Sequence, residues 1–382
     1  MKLVALPEVA KIIMGQSPPS SSYNTQGEGL PFFQGKADFG DLHPTVRVFC
    51  TEPKKIADAG DILISVRAPV GLTNISPERS CIGRGLAAIR GTKDIDTKYL
   101  LYFLRFSEPE LAEEGKGSTF SAVSRSDLER VQIPLPPLPE QKRIAAILAK
   151  ADRLRRLRRT ARDLSDTYLQ SVFLEMFGDP VSNPMGWEVM VLSDLKTKFS
   201  YGTSTKCYTE PKGLPVLRIP NVLGREINLE DLKYAELPEK EVDKISLLQG
   251  DLLFVRTNGN PDYVGRCAVF GLNAQYLYAS YLIRARLDLT TVNPWFLATY
   301  LRTGSGRKAM SPYIRTTAGQ SNIGIGGLGQ IPVPLPPFSP QQQFARIVHK
   351  FERLRAQQRE AERQAEHIFQ TLLHRAFRGE LR

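Results

Sequence analysis

Between residues 140 and 178, apolar side chains fall at Ile144, Ile147, Ala151, Leu154, Leu157, Ala161, Leu164, Tyr168 and Val172. Steps of three and four are the seam of a coiled coil, and the two successive steps of three at 151–154–157 read as a local stammer. A second stretch repeats the rhythm with Phe344, Ile347, Phe351, Leu354, Ala361, Ala365, Ile368 and Leu372, interrupted at Gln358. Each stretch predicts a helix of about 39 residues, roughly 58 Å long. A lone helix of that length leaves its seam in water, so the two are expected to pack together. Each starts where a globular stretch ends, which makes the packing antiparallel.

The two helices begin with the same words. Residues 133–148 read IPLPPLPEQKRIAAIL and residues 333–348 read VPLPPFSPQQQFARIV; ADRLR at 151–155 faces FERLR at 351–355, and Phe177 faces Phe377. An internal duplication is a statement about architecture. Each proline run predicts a stiff extended connector leading into its helix. In the second copy Ser339 is placed as N-cap, Pro340 as the first helical residue and Gln342 as the capping-box partner.

The stretches outside the helices carry shorter apolar runs in a repeated order. Glycine-led strands are expected at 60–66 (GDILISV) and 250–256 (GDLLFVR), with further strands at 85–89 and 281–286. Short amphipathic helices follow at 96–104 and 292–301. Polar small-residue loops then close each half at 115–127 and 316–327. The expected fold class is α+β, with an internal pseudo-two-fold repeat. Two mixed α/β units at 1–133 and 179–333 are separated by proline junctions and long helices at 134–178 and 334–382.

Composition narrows the function. The 382 residues carry a net charge of +11, which suits a nucleic-acid partner. Residues 1–139 hold 16 basic and 16 acidic side chains, whereas each long-helix stretch, 140–178 and 340–378, nets +4. The first globular unit is therefore neutral, and attraction to phosphate must come largely from elsewhere. No apolar run approaches the roughly 18 residues of a membrane span. The opening MKLVALPEVAKIIMGQ lacks a signal-peptide pattern. Four separated cysteines without a CxxC pair predict a reduced, cytoplasmic protein without a zinc site.

Catalytic signatures are weak. GIGGLG at 324–329 has the letters of a dinucleotide loop, but QIPVPLPP follows and cannot open the helix such a loop needs. Asp41, Glu52 and Lys54 are too loosely spaced for a nuclease centre. His43, His349, His367 and His374 make no metal spacing and read as surface or interhelical packing. Base-reading chemistry is better represented, because Arg, Lys, Asn and Gln match the donor and acceptor patterns of base edges. In the second unit the candidates are Arg256, Asn258, Asn260, Arg266, Arg315, Gln320, Ser321 and Asn322. In the first they are Gln34, Lys36, Arg67, Arg84, Lys116, Ser118 and Arg125, in comparable loops.

Taken together, PLPPLPEQKRIAAIL and its divergent second copy, GDILISVRAPVG at 60–71, CIGRGLAAI at 81–89, PFFQGKADFG at 31–40, GQSPPS at 15–20 and GSTFSAVS at 117–124 resemble the specificity subunit of Type I restriction–modification systems. The resemblance covers essentially the whole chain. It departs in the second copy, where SPQQQ replaces the usual PEQ-type junction. It implies two target recognition domains, each reading half of a split sequence in double-stranded DNA, in a system defending against foreign DNA. It implies an antiparallel coiled coil that sets the spacing of the half-sites. It further implies that the helices, through residues such as Ile144, Ile147, Leu154, Leu164, Phe344, Ile347, Leu354 and Ile368, serve two methyltransferase partners, which restriction subunits can join. Catalysis is implied to lie outside this chain: S-adenosylmethionine, and ATP with Mg where restriction subunits join, belong to those partners. Two rival readings are a self-contained nuclease or methyltransferase and a coiled-coil scaffold without a DNA role.

Overall fold

The computed structural model describes residues 2–114 and 122–381. It divides into two compact units, one of Met1–Ala161 with Gln358–Arg382 and the other of Arg162–Gln357. The two long helices, Leu138–Phe177 and Phe338–Phe377, are thus shared, each unit holding half of both.

In the first unit a four-stranded antiparallel sheet runs in the order Ala10–Met14, Leu86–Gly91, Ile62–Ser65, Thr73–Ile75. The second unit repeats that order with Lys198–Tyr201, Leu282–Arg286, Leu252–Val255 and Cys267–Val269. The glycine-led strands earn their motif in the same way twice. Gly60 and Gly250 hold φ of 88° and 90°, a left-handed conformation that disfavours any side chain. The following aspartates are buried and close the turn, Asp61 accepting the Asp58 N–H at 2.8 Å and Asp251 the Leu248 N–H at 2.9 Å. Each also takes a two-pronged bond from an arginine on the neighbouring strand, Arg90 at 2.9 and 2.7 Å and Arg286 at 2.8 and 2.7 Å. The carboxylate raises the guanidinium pKa in both pairs. Such forks are the strong form of the charge-assisted hydrogen bond.

Smaller sheets flank each main one: five strands including Leu30–Phe33 and Ser80–Ile82 in the first unit, and three including Leu214–Leu217 and Leu277–Tyr278 in the second. The short helices form at Thr97–Phe106 and Pro294–Arg302, capped by the side chains of Asp96 and Asn293.

The proline runs differ from the expectation. Gln132–Pro134 pairs antiparallel with Leu3–Ala5, and Pro332–Leu335 with Glu188–Val191. Proline is tolerated because a two-stranded pair leaves every strand an open edge. The helices begin one and two residues earlier than expected, at Leu138 and Phe338, so Ser339 lies inside the second helix and is not its cap. Pro139 and Pro340 sit in the first turn, where no intrahelical donor is needed. Within GIGGLG a five-residue helix, Ile325–Gly329, does form and gives way to the strand at Pro332.

A buried glutamine ties each long helix to its unit. The Gln141 side chain accepts the Asp96 N–H at 2.8 Å and donates to the carbonyls of Pro136 at 2.9 Å and Asp94 at 3.1 Å. Gln341 accepts the Asn293 N–H at 2.8 Å and donates to Pro336 at 2.8 Å and Thr291 at 3.2 Å.

The expected seam is only partly the buried face. Ile144, Ala145, Leu148 and Ala151 join the first core with Phe369, Leu373, Ala376 and Phe377. Leu169, Phe173 and Phe177 join the second with Phe344, Val348 and Phe351. Ile147 and Ile347 are half-buried. Leu154, Leu157, Leu164, Leu354 and Ile368 are exposed, between 41% and 65%. The steps of three at 151–154–157 therefore mark residues that leave the buried face. The reason is that each helix half packs against a sheet-and-helix core as well as against its helical neighbour, which demands a broader and shifted stripe.

Aromatic rings close both cores. Phe377 packs on Tyr99 and Phe103, with ring centroids 5.2 and 5.4 Å away. Phe177 packs on Phe296 at 4.9 Å and Phe344 at 5.5 Å. His374 meets Phe106 and His349 meets Trp295 edge-on, in line with the packing role expected of them.

Candidate nucleic-acid interface

In the second unit, the candidate residues come together on one small sheet. Thr257–Asn258 pairs with Gln320–Asn322, which pairs in turn with Arg315–Thr317. The hairpin turns through Ala318 and Gly319 with φ of 49° and 78°, the positive pair that matches strand twist in a two-residue turn. Arg315 and Gln320 are exposed and Asn322 is half-buried. Gln320 accepts from the Thr257 hydroxyl at 3.1 Å. Ser321 points inward, 1% exposed, with its hydroxyl 2.8 Å from that of Thr316; it supports the hairpin. A cavity of about 300 Å³ is lined by Arg315, Asn322, Tyr313 and Gly324.

Arg256 lies at the root of this sheet. Its backbone carbonyl accepts the Ile323 N–H at 2.9 Å, and its guanidinium stacks over Tyr201, 4.7 Å from the ring centre. That contact holds a flat cation in a fixed plane. Beyond it, Asn258 accepts the Asn260 N–H and Asn260 accepts the Asp262 N–H, both at 2.9 Å. These two amide oxygens are thus partly committed to shaping the loop. Arg266 stands apart from the hairpin, stacked on Tyr263 at 4.6 Å and bonded to the Asp262 carbonyl.

In the first unit, three loops converge. Gly85 lies so close to the loop after Leu30–Phe33 that a Cβ there would sit 2.4 Å from the Gln34 carbonyl oxygen. This approach places exposed Gln34 and Arg84 on adjoining loops. The Gly85 carbonyl accepts the Val66 N–H, and the Val66 carbonyl accepts the Val123 N–H, both at 2.9 Å. The second bond matches that between Arg256 and Ile323. Exposed Arg67 follows directly and bridges to Ala122. Asp38 shapes the loop that carries Gln34 and Lys36, accepting the Gln34 N–H at 2.7 Å and the Arg47 guanidinium at 2.9 Å. Arg125 lies elsewhere: it pairs with Glu129 at 2.7 Å and lines a cavity with Lys11, Lys55 and Arg79. Lys116 and Ser118 lie outside the described residues.

Sequence reasoning missed Tyr201 and Asp38. Tyr201, the last residue of strand Lys198–Tyr201, and Asp38, inside PFFQGKADFG at 31–40, acquire their roles only through folding.

Among the described residues, no group of three or more His, Cys, Asp or Glu side chains is placed to hold a metal ion, and no helix is long and apolar enough to cross a membrane. Two like scaffolds each present arginine and amide side chains on adjoining loops. Residues 1–162 match the family model of the type I restriction modification DNA specificity domain. A putative type I restriction enzyme MjaX specificity subunit from Methanocaldococcus jannaschii is 51% identical over 154 residues, 40% of this chain and 36% of that protein. The type I restriction enzyme EcoKI specificity subunit of Escherichia coli K12 is 26% identical over 373 residues, 91% of this chain and 80% of that one. The crystal structure of a Type-I restriction-modification system S subunit from M. genitalium has the same fold, with TM-score 0.61 and 14% identity over 98% of this chain and 96% of that one. The chain is similar to type I restriction specificity subunits, most strongly over residues 1–162.

Proposed function

We propose that this chain is the DNA-reading subunit of a type I restriction–modification assembly, each unit reading one half of a bipartite target in double-stranded DNA. The carrying observation is the small sheet that gathers Arg315, Gln320 and Asn322 beside Arg256 in one unit, set against the converging loops of Gln34, Arg67 and Arg84 in the other. Arginine and amide side chains in such loops suit the edges of guanine and adenine. The two loop sets differ in sequence, so the two half-sites differ.

The helices act as an antiparallel coiled coil whose length sets the spacer. Two observations support that direction. Arg143 donates to the Leu381 carbonyl at 2.8 Å, while Arg155, further along the first helix, meets Glu366, earlier in the second, at 3.1 Å. The faces carrying Leu154, Leu164, Leu354 and Ile368 dock two methyltransferase subunits. Those partners supply catalysis with S-adenosylmethionine, and restriction subunits that join bring ATP and Mg; this chain supplies position and base contacts. The assembly works in the cytoplasm.

The test is coexpression with a cognate type I methyltransferase followed by long-read methylation mapping. A split motif carrying N6-methyladenine is expected. Scattered marks, or a continuous motif, would overturn the reading.

A further inference from the structure

The second unit contains a cavity of about 560 Å³ lined by Arg225, Arg266, Arg302, Arg307, Arg355 and Asp262. Its chemistry stands out against the equivalent place in the first unit. There, the arginine at the end of the short helix, Arg105, meets the buried carboxylate of Asp152 at 3.1 Å. Asp152 also takes Arg155 at 2.8 Å and Arg156 at 3.6 Å. The first unit thus gives its guanidinium cluster carboxylate partners.

In the second unit the short helix ends on Arg302, and the acid at the register of Asp152 is Glu352. Glu352 pairs with Arg355 at 3.1 Å and makes no ion pair with Arg302 among the described residues. Arg302 donates instead to the neutral carbonyls of Gly224 and Cys267, and its buried Nε has no partner among the described residues. Arg307 likewise donates to the carbonyls of Val264 at 2.7 Å and Pro261 at 3.4 Å, and Arg266 to that of Asp262 at 2.9 Å. Three guanidinium groups therefore face one cavity and donate to carbonyls, Arg307 also meeting the Met310 sulfur at 3.6 Å, with no carboxylate accepting from them among the described residues. Burial, with Arg225 and Arg266 adding to it, pushes Arg302 down to about 10. Burial and Arg266 lower Arg307 as well. Cations crowded out of water in this way are stabilised by an anion, and the guanidinium fork matches phosphate oxygens.

We propose that this cavity is an oxyanion site that takes a phosphate-class group carrying two or more negative charges. Such charge comes from one of two sources, a free di- or polyphosphate or two adjacent phosphodiesters of bound DNA, each carrying one charge.

The experiment titrates the full-length chain with inorganic pyrophosphate by calorimetry, against sodium chloride at matched ionic strength. Saturable binding with one site per chain is expected, weakened at least tenfold in Arg302→Met. Arg302 is packed, so Arg266→Gln, with its side chain half-exposed, serves as the second variant and is expected to weaken binding at least threefold. Competition with duplex DNA of random sequence then separates the sources. Pyrophosphate that displaces duplex from the wild type but not from the variants assigns the site to DNA backbone. Pyrophosphate that binds without changing duplex affinity assigns it to a free oxyanion. No saturable binding beyond the salt control, or equal affinity in both folded variants and the wild type, overturns the proposal.

Discussion

The side-chain oxygen of Gln141 accepts the backbone N–H of Asp96 at 2.8 Å. Asp96 caps the short helix, and Gln141 stands in the first turn of the long one. One buried amide therefore ties the short helix to the long one, and Gln341 with Asn293 repeats the bond at 2.8 Å.

Replacing Gln141 with leucine keeps volume and removes three hydrogen bonds, leaving buried backbone groups unsatisfied. Each such group costs about 1–3 kcal/mol. Gln141→Leu and Gln341→Leu are each expected to lower the urea midpoint of the full chain by a similar amount. A midpoint unchanged in either variant would show that the tie is dispensable in that unit.

The acid side of the stability profile depends on Asp152. Burial alone raises its pKa, but Arg105, Arg155 and Arg156 together hold it below the usual carboxylate value. A pKa lower in the folded than in the unfolded chain contributes stability that is complete above the unfolded value of about 3.9 and lost as pH falls through the folded one. Asp152→Asn should cost about 1–3 kcal/mol at neutral pH, because it leaves half-buried Arg105 and Arg156 without their charge partner while Arg155 keeps Glu366. The gap between wild type and variant should hold down to about pH 5 and narrow below about pH 4. Denaturation across a pH series checks this, and a gap that widens with acid would refute it.

Arg315 is exposed at the edge of the candidate sheet, so its loss should leave folding intact. Arg315→Gln is expected to cost about 1–3 kcal/mol of discrimination, the range of one bidentate base contact. The check is competition between the methylated motif and random duplex. Equal loss of affinity for both would make Arg315 a phosphate contact.

Much of this architecture was legible in the chain. The strands at Ile62–Ser65 and Leu252–Val255 and the helices at Thr97–Phe106 and Pro294–Arg302 follow the expected runs. Apolar period and glycine or aspartate punctuation act locally, so they can be read locally. The long helices were legible as helices but not in their buried face. Phe173 and Phe369, which carry much of the packing, lie off the seam drawn through Leu164 and Leu354, because the stripe is set by two neighbours at once. At the candidate site, Arg256 and Arg315 were named from residue type. The stacking of Tyr201 on Arg256 and the inward turn of Ser321 come from strand pairing across distant segments, which no spacing encodes.

In the proposed function, helix length sets the separation of two half-sites. Four residues added to each long helix, at the unit boundaries 161–162 and 357–358, lengthen each by about 6 Å. That is roughly two base pairs at about 3.4 Å per step. Methylation mapping of the doubly extended chain with its methyltransferase should return the same two half-sites with a spacer longer by one or two base pairs. An active extended chain that marks the original spacer would show that helix length does not set it.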